Sequence, residues 1–174
     1  MCDNSATAPL PTVTGAYRQN LRYEVERVSN EGEKRLSLVR LLRETEGSGV
    51  VYAATVKEVK AVSDYLKRVG FDVAPHPHHE QLGQLGELGA DEKLRVQAGA
   101  LKAIIAAERS GATPYGIASD MDAEIDRPDI RFVIHYNMPA SLEDYYRESG
   151  RAGRDGRPAR CVLLFQIADR RAQS

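Results

Sequence analysis

The chain has 174 residues, 42% of them hydrophobic and 28% charged, enough to bury one globular core, and its formal net charge is −1. That balance carries no overall basic excess for nucleic acid, so any such surface is local. It contains no run of roughly 18 apolar residues that would make a membrane helix, and Met1–Thr14 lack the basic start and apolar segment of a secretory signal.

The first 14 residues, rich in Pro, Ser, Thr and Ala, read as a disordered lead-in, with one domain over 15–174. LRYEVERV (Leu21–Val28) alternates as a strand does. Glu31–Glu46 places Leu36, Val39 and Leu42, with Leu38 and Leu41 nearby, at helical spacing, and Gly47-Ser48-Gly49 stops it. Val50–Ala54 is a short apolar, β-branched run, hence a buried strand. Thr55 can cap the next helix, whose Val59, Val62, Leu66 and Val69 recur every three or four residues before Gly70 ends it. Phe71–Ala74, Leu101–Ala106, Phe132–Tyr136 and Cys161–Phe165 are further strand candidates, and Ser141 with Asp144 resembles a capping box that opens a helix through Tyr145 and Tyr146. The expected core includes Val51, Ile104, Ile105, Val133, Ile134 and Leu163. Short buried strands alternating with amphipathic helices predict an α/β fold, a three-layer αβα sandwich with a mainly parallel sheet. In that architecture ligands gather at the carboxyl ends of the strands.

Cys2 and Cys161 stand far apart, which offers neither a structural disulfide nor a four-cysteine zinc site. The cytoplasm is the expected compartment, beside the nucleoid if the source is bacterial. His76, His78, His79 and Glu80 crowd a proline-broken loop without cysteines or a second cluster, and are read as an ordinary polar loop with no metal.

The informative stretch is YYRESGRAGRDGRPAR (Tyr145–Arg160). Between Arg147 and Arg171 seven arginines face three acids, a local balance of +4 with no lysine. Arginine offers a planar fork of donors that matches phosphate oxygens two at a time, whereas lysine is a point charge. If the helix from Ser141 runs on through Ala152, then Arg147, Arg151 and Arg154 share one face. Gly150 and Gly153 between them would let a ligand or a partner backbone come close.

YYRESGRAGRDG closely resembles the sixth motif of RecQ-family DNA helicases, where Tyr-Tyr-Gln-Glu precedes the same GRAGRDG. DRPDIRFVIHY (Asp126–Tyr136) is similar to the stretch after the family's fifth motif. GSGVVYAATVKEV (Gly47–Val59) resembles the fourth, and Thr14-Gly15 with Asn20-Leu21-Arg22-Tyr23 resembles the approach to the second motor domain. The resemblance implies a RecA-like domain that works with a first RecA-like domain on single-stranded and duplex DNA, ATP with Mg²⁺ lying in the cleft between the two, and stepping from 3′ to 5′. It makes Arg154 the arginine finger and Arg151 its phosphate-contacting companion. Arg147, Gly150 and Asp126 would border the nucleotide, and Thr55 and His76 the nucleic acid. In other nucleotide hydrolases such a finger contributes about 10³ to 10⁵ in rate.

The departures from the family are specific. Arg147 stands where the family has Gln. Ala106 is followed by residues 107–124 in place of the family's Ala-Thr and Phe-Gly-Met-Gly turn, an insertion expected to weaken contact with the strand and the nucleotide. Pro75-His76-Pro77 replaces Tyr-His-Ala-Gly-Leu. No G-x-x-x-x-G-K-[ST] phosphate loop and no Gly-Lys pair occur, and the Asp91-Glu92 pair sits in a helical pattern before Lys93. The expectation is a motor half that does not hydrolyse ATP alone. The competing reading is a degenerate stand-alone module that keeps its arginines for nucleic acid or phosphate.

Overall fold

The computed structural model describes residues 18–76, 103–107 and 128–168. Strand β1 (Leu21–Arg27) leads to helix α1 (Glu31–Glu44), β2 (Gly49–Ala53), α2 (Val56–Val69) and β3 (Val73–His76). There follow β4 (Ala103–Ala107), β5 (Phe132–His135), helix α3 (Leu142–Ser149) and β6 (Ala159–Phe165). The six strands form one sheet in the order β1-β6-β5-β2-β4-β3, every adjacent pair parallel.

The strand order fixes where the helices lie. Parallel crossovers are right-handed. The β1–α1–β2 and β2–α2–β3 units advance along the sheet in one direction and β5–α3–β6 returns in the other. So α1 and α2 share one face and α3 takes the opposite one. The core divides accordingly. Leu38, Leu41 and Leu42 of α1 and Val59, Val62 and Leu66 of α2 pack on Val51, Phe132, Ile134, Val162 and Leu164. On the other face Leu21, Val50, Tyr52, Val133 and Cys161 meet Ala152 and Ala159.

The local signals act as their chemistry requires. The Thr55 hydroxyl accepts the Glu58 N–H at 3.2 Å and caps α2, and Gly70 closes it in the left-handed region at φ +100°. Asn30 caps α1 by accepting the Glu33 N–H at 2.9 Å, and the Glu33 carboxylate reaches back to the Ser29 N–H at 2.8 Å.

One residue of the expected helical stripe and one of the expected core depart from expectation. Leu36 is 67% exposed, because the buried stripe of α1 runs through Lys34, Leu38, Leu41 and Leu42, about half a turn away. Leu163 is only half-buried. It lies in register with Val25, itself 63% exposed, at the β1–β6 corner of the sheet on the face that α3 packs against. Val51, Val133 and Ile134 are fully buried as expected. The side chains of Ile104 and Ile105, the lead-in over 1–14 and the 107–124 insertion lie outside the described residues.

Candidate functional site

Helix α3 starts where Ser141 accepts the Asp144 N–H at 3.0 Å and donates its own hydroxyl hydrogen to the Asp144 carboxylate at 2.7 Å. Glu143 and Asp144 in its first turn and Arg147 in its last complement the helix dipole. The helix ends at Ser149 and does not run through Ala152. The Arg151 and Ala152 N–H groups reach back three residues to the Glu148 and Ser149 carbonyls, at 3.2 and 3.1 Å. Gly153 then turns into the left-handed region at φ +55° and breaks the helical path. Arg147 alone of the three arginines is helical, so the shared face predicted from helical spacing does not exist. Arg151 and Arg154 instead stand on a turn, Arg151 half-buried and Arg154 exposed, with fully buried Ala152 anchoring it between them.

The turn is held to the body of the sheet. The Gly153 N–H donates to Ile130 O at 2.8 Å, and the Asp155 N–H to Pro128 O at 3.0 Å. Arg18 donates one Nη–H to Gly150 O at 2.8 Å and the other to Gly153 O. Asn20 Nδ2 donates to Gly153 O at 2.7 Å and to Arg157 O at 3.0 Å. Gly153 does allow a close approach, but its own chain takes the space: a Cβ there would stand 2.6 Å from Asn20 Nδ2.

Ile130, Arg131 and Asn20 precede β5 and β1, so the turn lies at the amino rim of the sheet. It therefore stands opposite the carboxyl ends of the strands. The reason is that α3 crosses back antiparallel to the strands and delivers its C-terminus to the rim where they begin.

Other arginines nearby, two of them in the motif, are spread by ion pairing. Arg160 forks onto Glu24 at 3.0 and 3.1 Å and donates to Thr45 at 3.0 Å, a brace between β6 and β1. That hydrogen bond holds the Glu24 carboxyl below the usual range. Arg131 pairs with Asp155. Arg147 pairs with Asp144 at 2.7 Å, one helical turn back.

Beneath the turn lies a polar pair, one member of which, His135, is expected from its sequence context to be part of an apolar strand. His135 Nε2 is 2.9 Å from Glu148 Oε2, and both side chains are buried, at 0% and 2% exposed. The imidazole stacks on Tyr52 with centroids 5.4 Å apart and meets Tyr145 at 5.0 Å. The second Glu148 oxygen faces Arg147 Nη2 at 4.0 Å. No local spacing marks this pair, because His135 and Glu148 meet only after β5 and α3 have packed. Arg18 escaped for the same reason, lying 132 residues from its partner Gly150.

At the carboxyl rim, Thr55 donates its hydroxyl hydrogen to Glu58 at 3.1 Å while capping α2. Asn137 beside it accepts the Ala54 N–H at 3.0 Å and donates to Glu58 at 3.3 Å. Tyr136 follows β5 on this rim, donates to Glu31 and sits under the Lys34 ammonium, 5.0 Å from its ring centroid. Burial, with Glu31 alongside, pushes its phenol well above the usual tyrosine range. His76 ends β3 on the same rim at the sheet's far edge. The expected site residues therefore fall on two opposite rims, Thr55 and His76 on one, Gly150, Arg151 and Arg154 on the other. Asp126, His78, His79 and Glu80 lie outside the described residues. Among the described residues no helix is long and apolar enough to cross a membrane.

The helicase conserved C-terminal domain family matches residues 33–156. A putative ATP-dependent DNA helicase Q1 of Caenorhabditis elegans is 34% identical over 165 residues, 93% of this chain and 24% of the relative. The ATP-dependent DNA helicase RecQ of Bacillus subtilis is 33% identical over 156 residues, 90% of this chain and 24% of its own. The chain thus spans about a quarter of the length of the curated relatives it matches. The E. coli DEAD-box protein SrmB, solved bound to the regulator of ribonuclease activity A, superposes with a TM-score of 0.67. That match covers 88% of this chain and 81% of SrmB at 21% identity, a likeness of fold alone. The sheet order, the two helical layers and this likeness agree on a RecA-like αβα domain, and the chain belongs to the helicase conserved C-terminal domain family, in its RecQ-type branch.

Proposed function

We propose that this chain is the second motor domain of a RecQ-like, ATP-dependent 3′–5′ DNA helicase, with Arg154 as its arginine finger and Arg151 as companion. The observation that carries this is the turn at Gly150–Gly156, held by backbone and side-chain bonds to Arg18, Asn20, Pro128 and Ile130, with Arg151 and Arg154 on it. A donor set held in place before the reaction stabilises charge developing on a phosphoryl group without having to reorganise.

The donor chemistry fits the triphosphate of ATP and leaves the metal to the partner. The turn's own acid, Asp155, is engaged by Arg131 and by the Arg157 N–H at 3.0 Å. Mg²⁺ requires carboxylate oxygens, which a first RecA-like domain would supply together with the phosphate loop. ATP with Mg²⁺ brings the cleavable phosphoanhydride. This chain's residues bind its phosphate end and close the pocket, Arg147 and Gly150 at its border. Thr55 and His76, on the other rim, would contribute to the DNA track. Thr55 does so through its backbone and methyl group, because capping occupies its hydroxyl.

The reading is tested by ATP turnover with and without single-stranded DNA, for the chain alone and mixed with a RecQ first RecA-like domain. Negligible turnover alone and DNA-stimulated turnover in the mixture are expected. Salt-dependent binding to single strands, with no turnover in the mixture, would favour a stand-alone binding module.

A further inference from the structure

We propose that Arg18, assisted by Asn20, is a positioning residue for the arginine turn, gripping its carbonyl oxygens from beneath so that Arg151 and Arg154 keep the orientation a triphosphate requires. The inference rests on the motor reading above and adds a residue that lies outside the arginine motif.

The end of a helix leaves carbonyls without intrahelical partners, and such groups need donors or solvent. At the end of α3 two of the carbonyls along the turn are taken by one guanidinium: Arg18 holds Gly150 O at 2.8 Å with one Nη and Gly153 O with the other. A planar fork with two donors set at fixed spacing suits two adjacent acceptors in a way that a single ammonium does not. Asn20, two residues on, shares Gly153 O at 2.7 Å and takes Arg157 O at 3.0 Å, so the grip spans the turn from its start to its exit. The grip is tied down in turn. The Leu21 N–H bonds Arg18 O at 3.1 Å as β1 begins, and the Ala159 N–H bonds Asn20 O at 2.9 Å as β6 begins.

Two details separate positioning from direct contact with phosphate. Each Arg18 Nη donates to a backbone oxygen of the turn, which places the residue to act through the turn. At Gly153, φ is +55° and a Cβ would meet Asn20 Nδ2 at 2.6 Å, Arg157 O at 2.9 Å and Ala159 Cβ at 3.1 Å. The glycine of the motif is therefore shaped to receive the Asn20 side chain. A small displacement of a reacting group can cost about 100-fold in rate, which sets the scale of the effect.

The test uses the full chain mixed with a RecQ first RecA-like domain and compares the unaltered chain with Arg18→Ala, Arg18→Lys, Asn20→Ala and Arg154→Ala. Arg18→Ala is expected to lower kcat between about 10-fold and about 100-fold with KM for ATP nearly unchanged. Millimolar guanidinium should restore part of the loss, and Arg18→Lys should restore less than the native arginine. Unchanged kcat, or a loss that guanidinium does not relieve and that follows a drop in melting temperature, overturns the proposal. If Arg18→Ala does not fold, Asn20→Ala is decisive: it removes one of the two side-chain holds on Gly153 O, leaving Arg18 and the Gly156 N–H, and undiminished kcat contradicts the grip. Full turnover in Arg154→Ala sinks the motor reading itself, whereas loss there with none in the Arg18 and Asn20 variants sinks only this inference.

Discussion

A carboxylate buried under a cluster of arginines has to be matched, and Glu148 is matched twice. Its Oε2 meets the His135 imidazole at 2.9 Å and its Oε1 faces the Arg147 guanidinium at 4.0 Å. Among the described residues the buried His135 Nδ1 has no hydrogen-bond partner, so the bond at Nε2 is the hydrogen bond that ties the imidazole to them. Removing the carboxylate leaves that buried nitrogen unsatisfied, which costs about 1 to 3 kcal/mol. Glu148→Ala is therefore expected to unfold at lower urea concentration, with Glu148→Gln, which keeps an acceptor, intermediate. Equal midpoints for Glu148→Ala and the unaltered chain would show that the pair contributes nothing. At this scale the sequence spoke clearly about composition and poorly about partners. The arginines and glycines of the motif could be seen. That Arg160 is engaged by Glu24, and that Arg18 grips the turn, depends on contacts made across the fold.

Elements were legible where the signal is local. Thr55, Gly70 and Ser141 act through atoms within four residues of themselves, and each marks its helix end as read from the sequence. The exit from α3 was not legible. Helical spacing continues past Ser149, and only Gly153 at φ +55°, pressed by Asn20, shows why the chain leaves the helix. Pairing between elements also sets an acid limit on stability. Arg160 holds the Glu24 carboxyl below its ordinary 4.5, and Ser141 with Arg147 holds Asp144 below its ordinary 3.8. A carboxyl lowered in the folded state contributes stability that is full above its unfolded value and is lost as pH falls through the folded one. Melting temperatures should thus hold these contributions at neutral pH and lose them below about pH 4.5. A Glu24→Gln chain should start lower at neutral pH and fall less steeply in acid. Parallel curves for the two chains would contradict a stabilising role for the β1–β6 brace.

For the molecule as a whole, a parallel sheet with helices on both faces followed from alternating apolar runs, but the strand order β1-β6-β5-β2-β4-β3 did not. Strand order depends on pairing across long stretches of chain, about which periodicity is silent. That order decides the function's geometry. It puts α3 on the face opposite α1 and α2 and sends the arginine turn to the amino rim, while Thr55 and His76 remain at the carboxyl rim. The eight residues of α3 set the rims roughly 12 Å apart, so nucleotide and strand would be handled at separate ends of one rigid sheet. The rigidity comes from the core: Ile134 is 1% exposed at the centre of the α1–α2 face. Ile134→Ala should cost about 2 to 4 kcal/mol, read from denaturant unfolding, and a cost near zero would mean that the sheet is not packed as described.

In the proposed motor, Arg154 and Arg151 complete a triphosphate pocket whose phosphate loop belongs to another domain. The most direct measurement is steady-state ATP turnover, stimulated by single-stranded DNA, of the chain mixed with a RecQ first RecA-like domain and carrying Arg154→Ala or Arg151→Ala. Turnover is expected to fall by about 10³-fold or more for Arg154→Ala and to be abolished likewise for Arg151→Ala, with far-ultraviolet circular dichroism unchanged. Turnover at the unaltered rate in both folded variants would contradict the account.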